Sequence, residues 1–179
     1  MEYVDALTSL GKETGEKVSK KEAHEKGVWH RTIHIWIVNS NGEILIQKRA
    51  PGKDVNPNKW GVSSIGGHIS FGDDAVVTAI REAKEELDLD IEASDLEYLY
   101  STPHQMADKE GGLNVRHIDE SFLVKEEVEL DKLVLQKEEV SDVKLIHFKE
   151  LEAAINQSNL GFSQHEEYPK LFKTLSQMF

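Results

Sequence analysis

Apolar and polar positions alternate most cleanly between Val28 and Asn39, where Ile33, Ile35 and Ile37 oppose His34, Trp36 and Val38. A period of two in a segment rich in β-branched and aromatic residues predicts a long strand. Asn41-Gly42 then gives the strongest hairpin signal in the chain, with Glu43–Arg49 as the returning strand. Upstream, residues 2–18 read as a small hairpin or ordered arm. Ser19-Lys20-Lys21-Glu22 has capping-box spacing and predicts a short helix to about Glu25 that stops at Gly27. Downstream, Pro51, Gly52 and Pro57 mark a loop over 50–63, and a 3.6-residue period predicts a helix over 73–87. Strands are expected at 96–103, 114–125 and Lys144–Phe148, with helices at 149–157 and 164–177. This irregular alternation, with antiparallel hairpins in it, predicts an α/β fold in which a mixed sheet is covered by helices.

Composition narrows the picture. No repeat or linker divides the 179 residues, so a single domain over 1–179 is expected. No apolar run reaches the length of a membrane span. A formal net charge of −12 argues against a nucleic acid polymer as partner, because that affinity rests on Lys and Arg neutralising phosphates. Small phosphorylated molecules stay open to an acidic protein if a divalent cation lies between carboxylate and phosphate. The chain has no cysteine, which removes disulfides, thiolate metal sites and thiol nucleophiles. Met1–Asp5 lacks the basic start and apolar run of a secretory signal, and a cytoplasmic location is expected. The polar N-terminal arm is a candidate homodimer contact.

The chemistry concentrates in the helix over 73–87. Val76, Ala79, Ile80, Ala83 and Leu87 form its core stripe, whereas Glu82, Glu85 and Glu86 stand at i, i+3 and i+4 on another face. Three gathered carboxylates repel one another. Arg81 can relieve part of this by pairing with Glu85, and a hard divalent cation would relieve more. A solvated acidic face is the bland alternative for an isolated Glu-x-x-Glu-Glu, but here Gly66-Gly67 stands upstream at a strand end.

With that glycine included, Gly67 to Leu89 resembles the Nudix box, Gly-x5-Glu-x7-Arg-Glu-U-x-Glu-Glu-x-Gly-U, where U is apolar. Gly67, Arg81, Glu82, Glu85 and Glu86 match in identity and register; Asp73 stands for the usual Glu and Asp88 for the usual Gly. The resemblance implies an α/β/α sandwich and a Mg²⁺- or Mn²⁺-dependent hydrolase that cleaves a diphosphate linkage in a nucleoside diphosphate or related small molecule. It implies Arg81, Glu82, Glu85 and Glu86 as the catalytic set. Glu82 and Glu86 would be principal metal ligands, with Glu85 and the Gly67 carbonyl adding to them and Asp73 a possible addition.

A narrower resemblance rests on His24-x5-His30, Ile35-Trp36-Ile37-Val38-Asn39, Gln47-Lys48-Arg49, Trp60 and Gly67-His68, which look like the subgroup related to isopentenyl-diphosphate isomerase. It implies His24, His30 and His68 as counterparts of that enzyme's metal-binding histidines, and Glu120 as the counterpart of one acid. Gly66 occupies the position of its catalytic cysteine, so a hydrolase on an isomerase-like sequence is expected. Lys48 and Arg49 are the chosen phosphate-binding residues, ahead of Lys53, Lys59 and Arg116. Trp29, Trp36 and Trp60 are expected to be core before they are stacking platforms. His104 and His165 read as surface residues, and loops 50–60 and 104–115 are expected to select the substrate. Two other functions remain: a non-catalytic module that binds a nucleotide or protein, and an isomerase-like enzyme.

Overall fold

The computed structural model describes residues 2–53, 55–61, 63–107, 114–159 and 161–179. Tyr3–Leu7 (β1) and Glu13–Ser19 (β2) pair antiparallel as a two-stranded ribbon, the hairpin expected of the N-terminal segment. Lys20–Lys26 (α1) follows. Ser19 Oγ accepts a hydrogen bond from Glu22 N at its start, and Gly27, at φ +66°, ends it in the left-handed conformation that glycine adopts without a Cβ clash.

The main sheet is mixed. His30–Val38 (β3), Glu43–Arg49 (β4), Ile65–His68 (β5), Glu97–Ala107 (β6), Asn114–Lys125 (β7) and Val140–His147 (β8) run in the order β6-β7-β3-β4-β8, with β5 also paired to β3. β3 and β7 are parallel and the other pairings among these strands are antiparallel. One edge of β3 is divided: Val38 pairs with Ile44 of β4, while residues 32–35 pair with β5. Ser64 fills the fork. Its Oγ accepts from Ile37 N at 2.8 Å and donates to Leu45 O, replacing ladder bonds that β3 and β4 do not make to each other there.

Ala75–Leu87 (α2) packs Ala79, Ala83 and Leu87 against Ile33, Ile35, Ile37, Leu45 and Ile65 on one face. Phe148–Asn156 (α3) and Tyr168–Met178 (α4) cover Trp36, Val38, Ile44, Ile46 and Leu123 on the other. The result is the expected α/β/α sandwich, and the alternation of β3 assigns its isoleucines to the first core and Trp36 and Val38 to the second. No helix among the described residues is long and apolar enough to cross a membrane.

Several boundaries differ from the sequence reading. α2 begins at Ala75 because Asp74 caps it, accepting from Val76 N at 2.8 Å, and this leaves Asp73 outside the helix. Asp88 ends it at φ +53°, taking the left-handed role of the missing glycine. β6 continues to Ala107, so part of the expected 104–115 loop is strand; residues 108–113 of that loop, like Asp54 of the 50–60 loop, lie outside the described residues. β8 begins at Val140, four residues before the expected Lys144. α4 starts at Tyr168, with Pro169 in its first turn, and not at 164.

Candidate functional site

The box glutamates approach the sheet at β5. A Cβ built on Gly67 would lie 2.3 Å from Glu82 Cδ and 2.4 Å from its Oε1, so the carboxylate occupies the space any side chain at 67 would need. Glu86 is 4 % exposed, and its Oε2 accepts from Gln47 Nε2 at 3.0 Å. Burial, reinforced by Glu82, pushes the Glu86 carboxyl up to about 8. Burial also raises Glu82, against the pull of Arg81. Arg81 spans Glu82 and Glu85, 2.8 Å from each, and Glu85 is drawn outward to a half-exposed position. The donor atoms of the three glutamates do not converge within 4.8 Å. Strand alternation on β4 sends Gln47 and Arg49 towards α2 and Lys48 to the opposite face. Arg49 lies within electrostatic reach of Glu86 and donates from Nε to Val55 O at 2.8 Å. Of the two chosen cations, only Arg49 shares a face with the glutamates. Lys53 is paired with Glu139, and Trp36 is core.

The opposite face of the same strands carries a second constellation. The registers place His30 beside His117, Thr32 beside Asp119 and His34 beside Ser121 on β3 and β7, with His68 of β5 opposite Thr32 and His104 of β6 opposite His117. α1 adds His24 from above, its Nε2 3.2 Å from His68 Nε2. The rings of His24, His30, His68 and His117 have centroids 4.6 to 5.7 Å apart, and one donor atom from each lies within 4.8 Å of the others. His30 Nδ1 is 2.8 Å from Val28 O, which fixes its proton there and leaves Nε2 as a lone pair. Nε2 of His30 and of His117 are buried without a hydrogen-bond partner. Burial lowers His30 to about 4 and holds His68 and His117 well below the usual imidazole range, so these rings are neutral near pH 7. Neutral imidazoles with converging nitrogens fit a borderline cation such as Zn²⁺, whose ligands at about 2.0–2.1 Å lie roughly 3.3 Å apart in a tetrahedron.

Three expectations are corrected here. Glu120 is not part of this cluster; it accepts from Tyr98 OH at 3.1 Å on the other face of β7, where alternation must send the neighbour of Asp119. The cluster takes His117 as its fourth member. His104 and His165 are not surface residues: their side chains are 13 % and 5 % exposed, and their rings stack with centroids 4.2 Å apart. Behind the tetrad, Asp119 is fully buried. It receives Thr32 Oγ1–H, and its Oδ2 stands 3.2 Å from His165 Nε2 without the alignment of a hydrogen bond. His34 Nδ1 is 2.8 Å from Glu167 Oε1, and Ser121 Oγ donates to Glu167 Oε2 at 2.6 Å. Burial alone would lower His34, but Glu167 and Asp119 outweigh it and raise the ring to about 9. Burial raises Asp119 and Glu167, and the imidazoles of His34 and His165 outweigh it, holding both carboxyls below the usual range. The sequence signal for this face was His30-x-Thr32-x-His34 against His117-x-Asp119-x-Ser121, polar residues at period two within apolar strands.

Residues 28–165 match the NUDIX domain family. The chain belongs to that family. Nudix hydrolase 3 of Arabidopsis thaliana is 32% identical over 182 residues, a match that takes in 98% of this chain and 23% of that protein. An uncharacterized Nudix hydrolase of Clostridium acetobutylicum is 34% identical over 154 residues, 84% of this chain and 72% of the relative. Isopentenyl-diphosphate isomerases also match this Nudix chain; that of Photorhabdus laumondii is 29% identical over 140 residues, 76% of this chain and 73% of its own. A Deinococcus radiodurans crystal structure superposes with a TM-score of 0.64 over 97% of this chain and 99% of that one at 17% identity, a likeness of fold.

Proposed function

We propose that this Nudix chain is a divalent-metal-dependent hydrolase that cleaves the diphosphate linkage of a nucleoside diphosphate or related small molecule. The observation that carries the reading is the seating of Glu82 against the bare Gly67 backbone, with Glu86 buried beside it and held by Gln47. Burying the Glu86 carboxyl within electrostatic reach of Glu82 costs stability, and the arrangement makes sense when a cation compensates it. Glu82 and Glu86 would hold Mg²⁺ or Mn²⁺, with Glu85 and the Gly67 carbonyl in supporting positions. The ion, when bound, neutralises the diphosphate and activates a water. Arg81 keeps Glu82 and Glu85 oriented through its two ion pairs. Arg49, on the same face as Glu86, would meet phosphate oxygens. The tetrad His24, His30, His68 and His117 would hold a separate, softer ion such as Zn²⁺.

The histidine face also favours a second reading, an isomerase-like enzyme. Against it, Gly66 leaves no thiol beside His34, and the chain has none elsewhere. Cleavage of a panel of nucleoside diphosphates, triphosphates, nucleotide sugars and isoprenoid diphosphates, with the phosphate, pyrophosphate and monophosphate products separated and quantified with and without Mg²⁺, tests the hydrolase. Metal-dependent turnover abolished by Glu86→Gln is the expected result. Deuterium incorporation into isopentenyl diphosphate without phosphate release would overturn it in favour of the isomerase.

A further inference from the structure

We propose that His34, Asp119 and His165 form a second cation position behind the histidine tetrad, so that Asp119 bridges a two-ion centre. The inference rests on the tetrad holding an ion; it does not depend on the hydrolase reading.

One donor atom each from His34, Asp119 and His165 lies within 4.8 Å of the others. All three side chains are buried or nearly so. Asp119 Oδ2 is buried with no hydrogen bond, yet His165 Nε2 stands 3.2 Å away. That separation is what two ligands of one ion show when each is about 2.0–2.2 Å from it. The other oxygen of the same carboxylate, Oδ1, takes the Thr32 hydroxyl and lies 3.8 Å from Nδ1 of His117, a member of the tetrad. A carboxylate with one oxygen turned to each cluster is the usual bridge of two-metal sites, where the ions stand roughly 3.5–4 Å apart.

The surroundings are built as a metal's outer shell is built. Glu167 takes His34 Nδ1 at 2.8 Å, which leaves Nε2 for the ion in a carboxylate–histidine–metal arrangement. Ser121 fixes Glu167, and Thr32 fixes Asp119. His165 Nδ1 accepts from Glu167 N at 3.3 Å and lies 4.0 Å from Glu167 Oε1; an ion at Nε2 would move the ring proton to Nδ1 and turn it towards that oxygen. Two buried carboxylates, Asp119 and Glu167, thus converge on two imidazoles, and a divalent ion can offset their charge in place of the proton on His34. Two nitrogens and a carboxylate oxygen suit Zn²⁺, Co²⁺ or Mn²⁺ better than Mg²⁺.

The test is metal stoichiometry. The full chain is stripped with a chelator, reloaded with Mn²⁺ or Co²⁺, passed through a desalting column, and counted by elemental mass spectrometry. With the weaker ion of the box glutamates removed on the column, two ions per chain are expected in the parent and in Glu86→Gln, and one in His165→Gln. The Mn²⁺ form of the parent should give an exchange-coupled electron paramagnetic resonance spectrum, replaced in His165→Gln by that of an isolated ion. This measurement on the parent keeps the proposal testable if a variant fails to fold. One ion in the parent, lost in His30→Gln and retained in His165→Gln, would overturn the second position and leave the tetrad intact. No retained ion at all would overturn both, whatever the chain hydrolyses.

Discussion

Glu86→Gln should make the metal-free protein more stable at alkaline pH. The Glu86 carboxyl has a reference value of 4.5 and stands at about 8 in the fold, mainly through burial. A carboxyl raised by folding binds its proton more tightly in the native state, so the stability it permits is fully present below pH 4.5. That stability declines between pH 4.5 and 8 as the unfolded chain ionises first. The gap corresponds to at most roughly 5 kcal/mol, and relaxation around the ionised group brings the expected loss nearer about 3 kcal/mol. Glutamine has the same shape and still accepts from Gln47 Nε2, but it cannot ionise. Its amide nitrogen also replaces a charge that Glu82 and Glu139 oppose. Urea denaturation in a chelator between pH 5 and 9 reads this out. The parent should lose about 3 kcal/mol that the variant keeps, and the two should converge towards pH 4.5. Saturating Mg²⁺ should then restore the parent alone, by about 2.7 kcal/mol at a hundred times its Kd. Parallel curves, or a variant less stable than the parent at pH 8.5, would refute the reasoning.

Gly67→Ala should lower Mg²⁺ affinity and turnover by about a hundredfold while costing only about 1–3 kcal/mol of stability, because the new Cβ would lie 2.3 Å from Glu82 Cδ and displace the carboxylate; Mg²⁺ titration of turnover beside thermal denaturation checks it. The two ion classes should differ in pH dependence. Zn²⁺ affinity at the tetrad, measured by competition with a chromophoric chelator, should be nearly flat from about pH 6 to 8, since burial already keeps His30, His68 and His117 neutral. Mg²⁺ affinity should instead climb towards pH 8 as the Glu86 proton becomes easier to displace. Ser64→Ala should cost about 2–4 kcal/mol in denaturation experiments, since Ile37 N and Leu45 O both lose a buried partner.

What could be read from the sequence was what lies close along the chain. Glu82, Glu85 and Glu86 share a helix, so their relation follows from 3.6 residues per turn, and Gly67 joins them through a short connection. Ser19–Glu22 and Asn41-Gly42 were equally local. The histidine face is not local. His30 meets His117 because β3 and β7 run parallel in one register, a property of the assembled sheet. Only strand alternation could have hinted at it, and Glu120, the acid that the resemblance implied, lies on the face of β7 opposite to the histidines. His165 was hidden for a different reason. Starting the last helix at 164 put it inside that helix, whereas Pro169 in the first turn points to a later start and leaves Ser163, His165 and Glu167 to alternate inward ahead of it.

The four residues of β5 explain why the two constellations belong together. Ile65 enters the core beneath α2 and Gly67 receives Glu82, while Gly66 and His68 face the other way, towards His34 and His24. Both glycines are crowded. A Cβ at Gly66 would come within 3.2 Å of Ser63 Oγ and 3.3 Å of His34 Cδ2, less severe than the clash at Gly67 but already tight. Ile-Gly-Gly-His is therefore one edge strand that serves two faces, bare where carboxylate or imidazole must approach the backbone. Since consecutive residues on a strand point to opposite sides, the box and the histidine cluster are separated by little more than the thickness of that strand. A shift of β5 along β3 by one residue would exchange the faces of Gly67 and His68 and disable both sites at once. The pairing of Ile35 with Ile65, both wholly buried under α2, opposes that slip, so the hydrophobic core fixes the register on which both sites depend.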